Sequence, residues 1–337
     1  MKISELGEFG LIDLLAKMIA KSQDSKSASW RKLIIGIGDD AAAWHGDAST
    51  QLVTTDTLTE GVHFTLETTP WKELGWKTLA VNLSDIAAMG GVPGYAVVSL
   101  ALLEHIEVED VTALYEGMIE IAQKFGVAII GGDTSRAPVV SLTVAVIGSA
   151  GTRDGAMLTR SAAVPSDKIA VTGFLGASAA GLEMLSNRLK FAPEATTRLQ
   201  NAFLRPSPRV AEGQIFVEQG VRSAIDISDG LIADLKHICD ASHAGARVEV
   251  NLVPVHPAVK ANFGDKALEL ALSGGEDYEL LFTARAGVID KVRKAVACPV
   301  TVIGEMVAGK AGEVVLVDAN GKPFHTGRAG WEHFTAR

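Results

Sequence analysis

The chain has 337 residues, 47% of them hydrophobic and 21% charged, which suits two domains of ordinary size with real cores and excludes a disordered chain. Its net charge of −9 argues against general binding to nucleic acid or anionic membrane, because both would be repelled. Two cysteines, Cys239 and Cys298, without metal-ligand spacing exclude a disulfide framework and fit a reducing compartment such as the cytoplasm.

Taken in order, "MKISELGEFGLIDLLAKMIAKS" reads as an amphipathic helix and not a signal peptide, since acidic residues interrupt its apolar stretch. No run reaches the roughly 20 apolar residues that a membrane-spanning helix needs. Ser22–Lys32 reads as a polar loop. Strands are expected at Leu33–Ile37 and Gln51–Thr55, then a helix after Pro70 that Gly90 and Gly91 close. A strand at Tyr95–Leu103, a helix at Val108–Phe125 and strands at Val127–Ile130 and Val139–Ile147 complete the first half. The small, polar stretch from Gly148 to Lys168 marks a boundary, giving domains 1–150 and 151–337. Beyond it come strand Ile169–Thr172, a helix around Ser178–Leu189, strand Ser223–Ile227, helix Leu231–Ala241, strand Tyr278–Thr283, helix Val288–Ala297 and strand Val300–Ile303. The class is mixed α/β with two domains.

The recurring feature is an apolar run that ends on aspartate among small residues, as in "LIIGIGDD", "LVTTDT", "VAIIGGDTS" and "SAIDISDG". The P-loop pattern is absent. "GIGDDA" matches a dinucleotide fingerprint only loosely, because both variable positions are aspartates where a pyrophosphate would lie. In the helix after Pro70, Leu74, Thr78, Val81, Asp85 and Ala88 share one face, and a carboxylate there is costly to bury without a cation or donors. Asp40, Asp56, Asp85, Asp133, Asp226 and Asp229 all fall at strand ends, glycine turns or helix starts. Singly, each is an ordinary turn former. If they converged, pairs ~4 Å apart would repel by ~4 kcal/mol at an effective dielectric near 20, so divalent cations would be needed. Oxygen-only ligands, with Thr54, Thr55 and Ser228 nearby, suit Mg²⁺ over zinc. The glycines of "GFLGASAAGLEML" either offer amides to an anion or permit close packing.

Together, "GIGDDAA", "TTDTLTEGVHF", "LAVNLSDIAAMGG", "IIGGDTSR", "LTRSAA", "AIDISDGLIADLKHI" and "LSGGEDYELLFT" resemble the thiamine-monophosphate kinase family, within the superfamily of aminoimidazole ribonucleotide synthetase. That resemblance implies a PurM-like N-terminal domain whose sheet joins a β-barrel across a homodimer, and a PurM-like C-terminal α/β domain covering nucleotide and substrate. It implies transfer of the ATP γ-phosphoryl group to thiamine monophosphate, assisted by several Mg²⁺ ions and without a general base. Carried over by motif, Asp40, Thr54, Thr55, Asp56, Asp85, Asp133, Asp226 and Asp229 would serve magnesium. Tyr115, Gly132, Asp133, Arg160 and Ser228 would contact ATP, and His63, Glu276 and Trp331 the thiamine substrate. The chain departs from the family at "LTRSAA", where Ala162 replaces the usual glycine. The alternatives are another ATP-using enzyme of the superfamily and a non-catalytic Mg-nucleotide-binding module.

Overall fold

The computed structural model describes residues 2–37, 42–46, 48–151, 155–327 and 330. It divides into two units, one of residues 1–86 and 92–155, the other of residues 87–91 and 156–337.

The first unit carries helices α1 (Ile3–Leu6), α2 (Glu8–Lys21) and α3 (Ala28–Lys32), then β1 (Leu33–Ile35), β2 (Ala43–Trp44) and β3 (Gln51–Thr59). Helix α4 (Trp71–Ala88), β4 (Gly91–Leu102), α5 (Val108–Phe125), β5 (Ala128–Arg136) and β6 (Ser141–Ala150) follow. Strands β3 to β6 form a sheet in the order β3-β6-β4-β5, with β3 antiparallel to β6 and β4 parallel to β5. Alternation along β6 buries Leu142, Val144 and Val146 completely and leaves Thr143, Ala145 and Ile147 half-buried on the other face. Helix α5 starts with a Glu107–Asp110 capping box and buries Val111, Leu114, Met118 and Ile121 at helical spacing. Helices α4 and α5 lie in backbone contact: a Cβ on Gly75 would fall 1.8 Å from the Leu114 carbonyl oxygen, and one on Gly117 equally close to that of Lys72. Only glycine permits that approach. The expected loop at Ser22–Lys32 is half wrong, since Ala28–Lys32 is helical and buries Ser29.

The second unit holds β7 (Lys168–Thr172), α6 (Ala177–Ser186), α7 (Pro193–Leu204), α8 (Val210–Gln219), β8 (Ser223–Asp226) and α9 (Leu231–Ala241). It continues with β9 (Gly245–Glu249), α10 (Pro257–Phe263), α11 (Lys266–Ser273), β10 (Leu280–Ala284), α12 (Ala286–Ala295), β11 (Val300–Val307) and β12 (Val314–Val317). The sheet order is β12-β9-β11-β7-β10-β8, antiparallel except for the β12–β9 pair. Both faces are covered. Ile169, Val171, Ile225 and Leu281 belong to one core, whereas Ala170, Ala224, Leu280 and Phe282 belong to another on the opposite face. This is the expected mixed α/β class with two domains, and the first unit's four-stranded sheet is open, not closed into a barrel. Among the described residues no helix is long and apolar enough to cross a membrane, and both cysteines are free thiols.

Candidate active site

In the first unit, period-two alternation along β3 puts Leu52, Thr54, Asp56 and Leu58 on one face, across from Val144 and Val146. That face meets α4. The Thr54 hydroxyl donates to Asp85 Oδ2 at 2.5 Å, which ties the "TTDT" strand to the "LSD" helix. Asp85 is half-buried, and Leu74, Thr78, Val81 and Ala88 on its face are all buried, so this face is inside and not solvated. Thr55 points the other way, and its hydroxyl donates to the Val144 carbonyl at 3.1 Å.

Strand β5 carries Gly132 and Asp133. A Cβ on Gly132 would sit 1.9 Å from the Val98 carbonyl oxygen, so the second glycine of "IIGGDT" serves strand packing whatever else it does. Register places Asp133 opposite Ser99, exposed, on the face away from Val98 and Leu100. Three strand spacings, about 14 Å in all, lie between β3 and β5. Thr54, Asp56 and Asp85 thus form one group and Asp133 stands apart from it. His63 Nδ1 accepts the Thr59 N–H at 3.0 Å, so Nε2 is the ring's second polar atom. Tyr115 is only 6% exposed on α5, and burial pushes its hydroxyl pKa far up, so it is a core side chain here.

In the second unit, the "DISDG" turn leaves β8 and enters α9. Asp234 Oδ2, one turn into α9, accepts the N–H groups of Ser228, Asp229 and Gly230 at 3.0–3.1 Å and so shapes that turn. Burial and the neighbouring Asp226 and Asp229 hold its carboxyl well above the usual range. Carboxylate oxygens of Asp229 and Asp234 and a ring nitrogen of His237 lie within 4.8 Å of one another, a donor set able to hold a cation.

The "GGEDYE" segment is zipped to the same turn. The N–H groups of Glu276 and Tyr278 donate to Ser228 and Ile227, and Ile227 N–H donates to Glu279. Glu276 and Tyr278 adopt φ of 57° and 49°, a left-handed conformation that non-glycine residues avoid without outside support. Asp277 accepts from Gly176 and Ser178 N–H at the start of α6, so the amides of "GFLGASAAGLEML" already have an anion, one supplied by this chain. Burial outweighs those hydrogen bonds and pushes its carboxyl up to about 7. Glu279 is gripped by Arg209 through two nitrogens and by the Thr172 hydroxyl at 2.6 Å. Arg160 is exposed, and its side chain has no hydrogen-bonding or ion-pairing partner among the described residues.

Residues 38–150 match the family model of the AIR synthase related protein N-terminal domain, and residues 164–317 that of the C-terminal domain. The chain is 39% identical to the thiamine-monophosphate kinase of Escherichia coli (strain K12), over 97% of its own length and 98% of that protein. The chain belongs to the thiamine-monophosphate kinase family. The crystal structure of thiamine-monophosphate kinase from Stenotrophomonas maltophilia K279a superposes with a TM-score of 0.79 at 36% identity, covering 92% of this chain and 96% of that one. AaThiL complexed with AMPPCP and TMP gives 0.75 at 32% identity over 99% of both chains.

Of the residues the family resemblance singled out, Asp40 and Trp331 lie outside the described residues. Sequence reasoning missed Asp234, Asp277 and Glu279, although their segments were read. The available signal was an aspartate among Leu231, Ile232 and Leu235 on an otherwise apolar helix face, which has to be paired or capping something.

Proposed function

We propose that this chain phosphorylates thiamine monophosphate with ATP, giving thiamine diphosphate and ADP by direct in-line transfer. The supporting observation is its likeness over nearly the full length to thiamine-monophosphate kinases, including AaThiL complexed with AMPPCP and TMP. The acceptor is a phosphate monoester whose second ionisation lies near ~6, so it is nucleophilic at neutral pH and needs no strong base. The chain's task is to position two anions and neutralise them.

The residues fit magnesium by the chemistry of their donors: in the first unit Thr54, Asp56 and Asp85 offer oxygens alone, and both cysteines belong to the second unit. Those residues would hold Mg²⁺, which would supply positive charge to offset that of the phosphates. We assign Thr54, Asp56 and Asp85 to one such position, Asp226 and Asp229 to the second unit's position, and Asp133 to a separate contact. Thr55 is left out as a side-chain ligand, because its hydroxyl faces the other side of the sheet. Gly132 would offer main-chain groups to the nucleotide, Ser228 its side-chain hydroxyl, and the unpaired Arg160 would meet its phosphates. His63 Nε2 and Glu276 would hold the thiamine substrate.

A homodimer is part of the same reading. It is supported by the half-open face of the first unit's sheet and by its exposed edge strand β3. Free thiols and the lack of a spanning helix among the described residues support a cytoplasmic location. The deciding assay combines purified protein, ATP, Mg²⁺ and thiamine monophosphate, with thiamine diphosphate resolved by chromatography. Product is expected, and a chelator abolishes it until Mg²⁺ is restored. Nucleotide binding without product would instead leave a non-catalytic magnesium-nucleotide module.

A further inference from the structure

Strand β10 meets the candidate-site carboxylate Asp226 at one end. Leu280 stands opposite Asp226, and Thr283 lies three residues further on, roughly 10 Å along the strand. At that far end, within the second unit, is a cavity of about 430 Å³ lined among others by Asp167, Arg222, Thr283, Arg285 and Val288. Neither Arg222 nor Arg285 has a side-chain hydrogen bond or ion pair among the described residues. Arg285 also precedes helix α12, which begins without a side-chain cap.

Two exposed arginines beside a helix start are unremarkable on their own. The distinguishing observation is polar and buried. Thr283 lines the cavity, is only 2% exposed, and its hydroxyl has no hydrogen-bond partner. Ser223, directly across the β8–β10 pair, is fully buried with an equally unpartnered hydroxyl. Native interiors rarely leave such groups unmet, so something polar belongs beside Thr283, the one of the two that lines the cavity.

The surrounding chemistry selects what that is. Two guanidinium forks and the positive end of α12 favour an oxyanion. Asp167 works against a bare one: its Oδ2 accepts the Val164 N–H at 3.2 Å, and no other donor reaches this carboxylate side chain among the described residues. An oxyanion that keeps a proton can donate it to Asp167, whereas one without a proton meets repulsion. Inorganic phosphate retains at least one proton at neutral pH; sulfate has none, and a phosphate monoester loses its last near pH ~6. We propose that this cavity is a binding site for inorganic phosphate, separate from the carboxylate-rich end of the sheet, held by Arg222, Arg285 and Thr283 and selected by Asp167.

The test is calorimetric titration of the full-length protein at pH 7.5, without nucleotide or divalent ions, using inorganic phosphate, sulfate and methyl phosphate in turn. Phosphate is expected to bind most tightly. Arg222→Gln or Arg285→Gln should each weaken it by about tenfold, the usual loss for one charge-assisted hydrogen bond. Asp167→Asn should bring sulfate level with phosphate. Asp133→Asn should leave phosphate binding intact, which separates this site from the proposed nucleotide contacts. Thr283→Val keeps the side-chain shape and should weaken phosphate without lowering the unfolding temperature, so it carries the test if an arginine variant misfolds. Absence of phosphate binding in the wild type, unchanged affinity in the arginine and threonine variants, or sulfate binding as tightly as phosphate would each overturn the proposal.

Discussion

Asp56 and Thr55 are neighbours in sequence and stand on opposite faces of β3, so the strand itself separates the proposed ligand from its neighbour. Asp56→Ala is expected to cost kcat at least ~100-fold, the scale of losing one preorganised electrostatic contact in a dry site. Thr55→Val should stay within a few-fold of wild type. Steady-state assays of both variants check this, and equal losses would mean that the strand face does not decide the ligand. Asp277 gives a second prediction at this scale. Its carboxyl is raised to about 7 in the fold and lies near 3.8 in the unfolded chain, so between those values the folded state holds the extra proton. The contribution to stability is therefore full below the unfolded value and is lost as pH rises towards 7. Urea unfolding at pH 5 and pH 8 should show this loss, on the order of 1–4 kcal/mol, shrinking in Asp277→Asn. An identical pH dependence in the two proteins would refute it.

At the scale of elements, the unusual piece is the "GGEDYE" segment. Glu276 and Tyr278 hold left-handed backbone between glycines on one side and β10 on the other, and the conformation is kept in place from outside. One anchor is the hydrogen-bonding to Ile227 and Ser228, and another is Glu279 beneath it, held by Arg209 and Thr172. Glu279→Leu removes the carboxylate that holds Arg209 through two nitrogens and leaves it Glu212 at 3.5 Å in a largely enclosed place; it should destabilise by about 3 kcal/mol, whereas Arg209→Met with Glu279→Leu should recover much of that. Chemical denaturation of the single and double variants measures the difference, and no recovery would mean that the pair matters for shape and not charge. This segment also marks where the sequence stops being legible. Helix α5 and strand β3 could be read because one buried face imposes a period. Helices α7 and α8 were not read, although Pro193 stands at a helix start, because each buries only three residues and so imposes its period on only a short stretch of sequence. The carboxylates could be listed as candidates, but their grouping could not. Thr54 meets Asp85, and Asp133 does not join them, because of strand order, which local pattern does not encode. Asp234 stayed hidden for the same reason, since its partners are amides of a turn whose path only the fold defines.

At the scale of the molecule, the described residues of one copy leave part of the first unit's sheet uncovered. Its inner face is filled by α4 and α5, but its outer face is left half-open along Thr143 and Ala145 of β6, next to the cluster in which Ile147 packs with Tyr95 and Trp44. Strand β3 closes one edge of the sheet, and Val53 on it is 75% exposed. A nine-residue edge strand with an exposed β-branched residue and no charge on that face invites another strand or sheet. The second copy proposed above, offering the same edge and face, would satisfy both at once through an isologous contact. The consequence can be tested at one position. Val53→Lys puts a charge on each side of a two-fold contact, so each dimer would carry two unmatched lysines where it had two valines. Size-exclusion chromatography with light scattering should give twice the chain mass for the wild type and a shift towards a single chain for Val53→Lys. Because Val53 faces away from Thr54 and Asp56, any loss of turnover in that variant should track dissociation and be recovered at high protein concentration. A wild-type protein that runs as one chain across the accessible concentration range, with full activity, would refute the dimer and leave the open face to another partner.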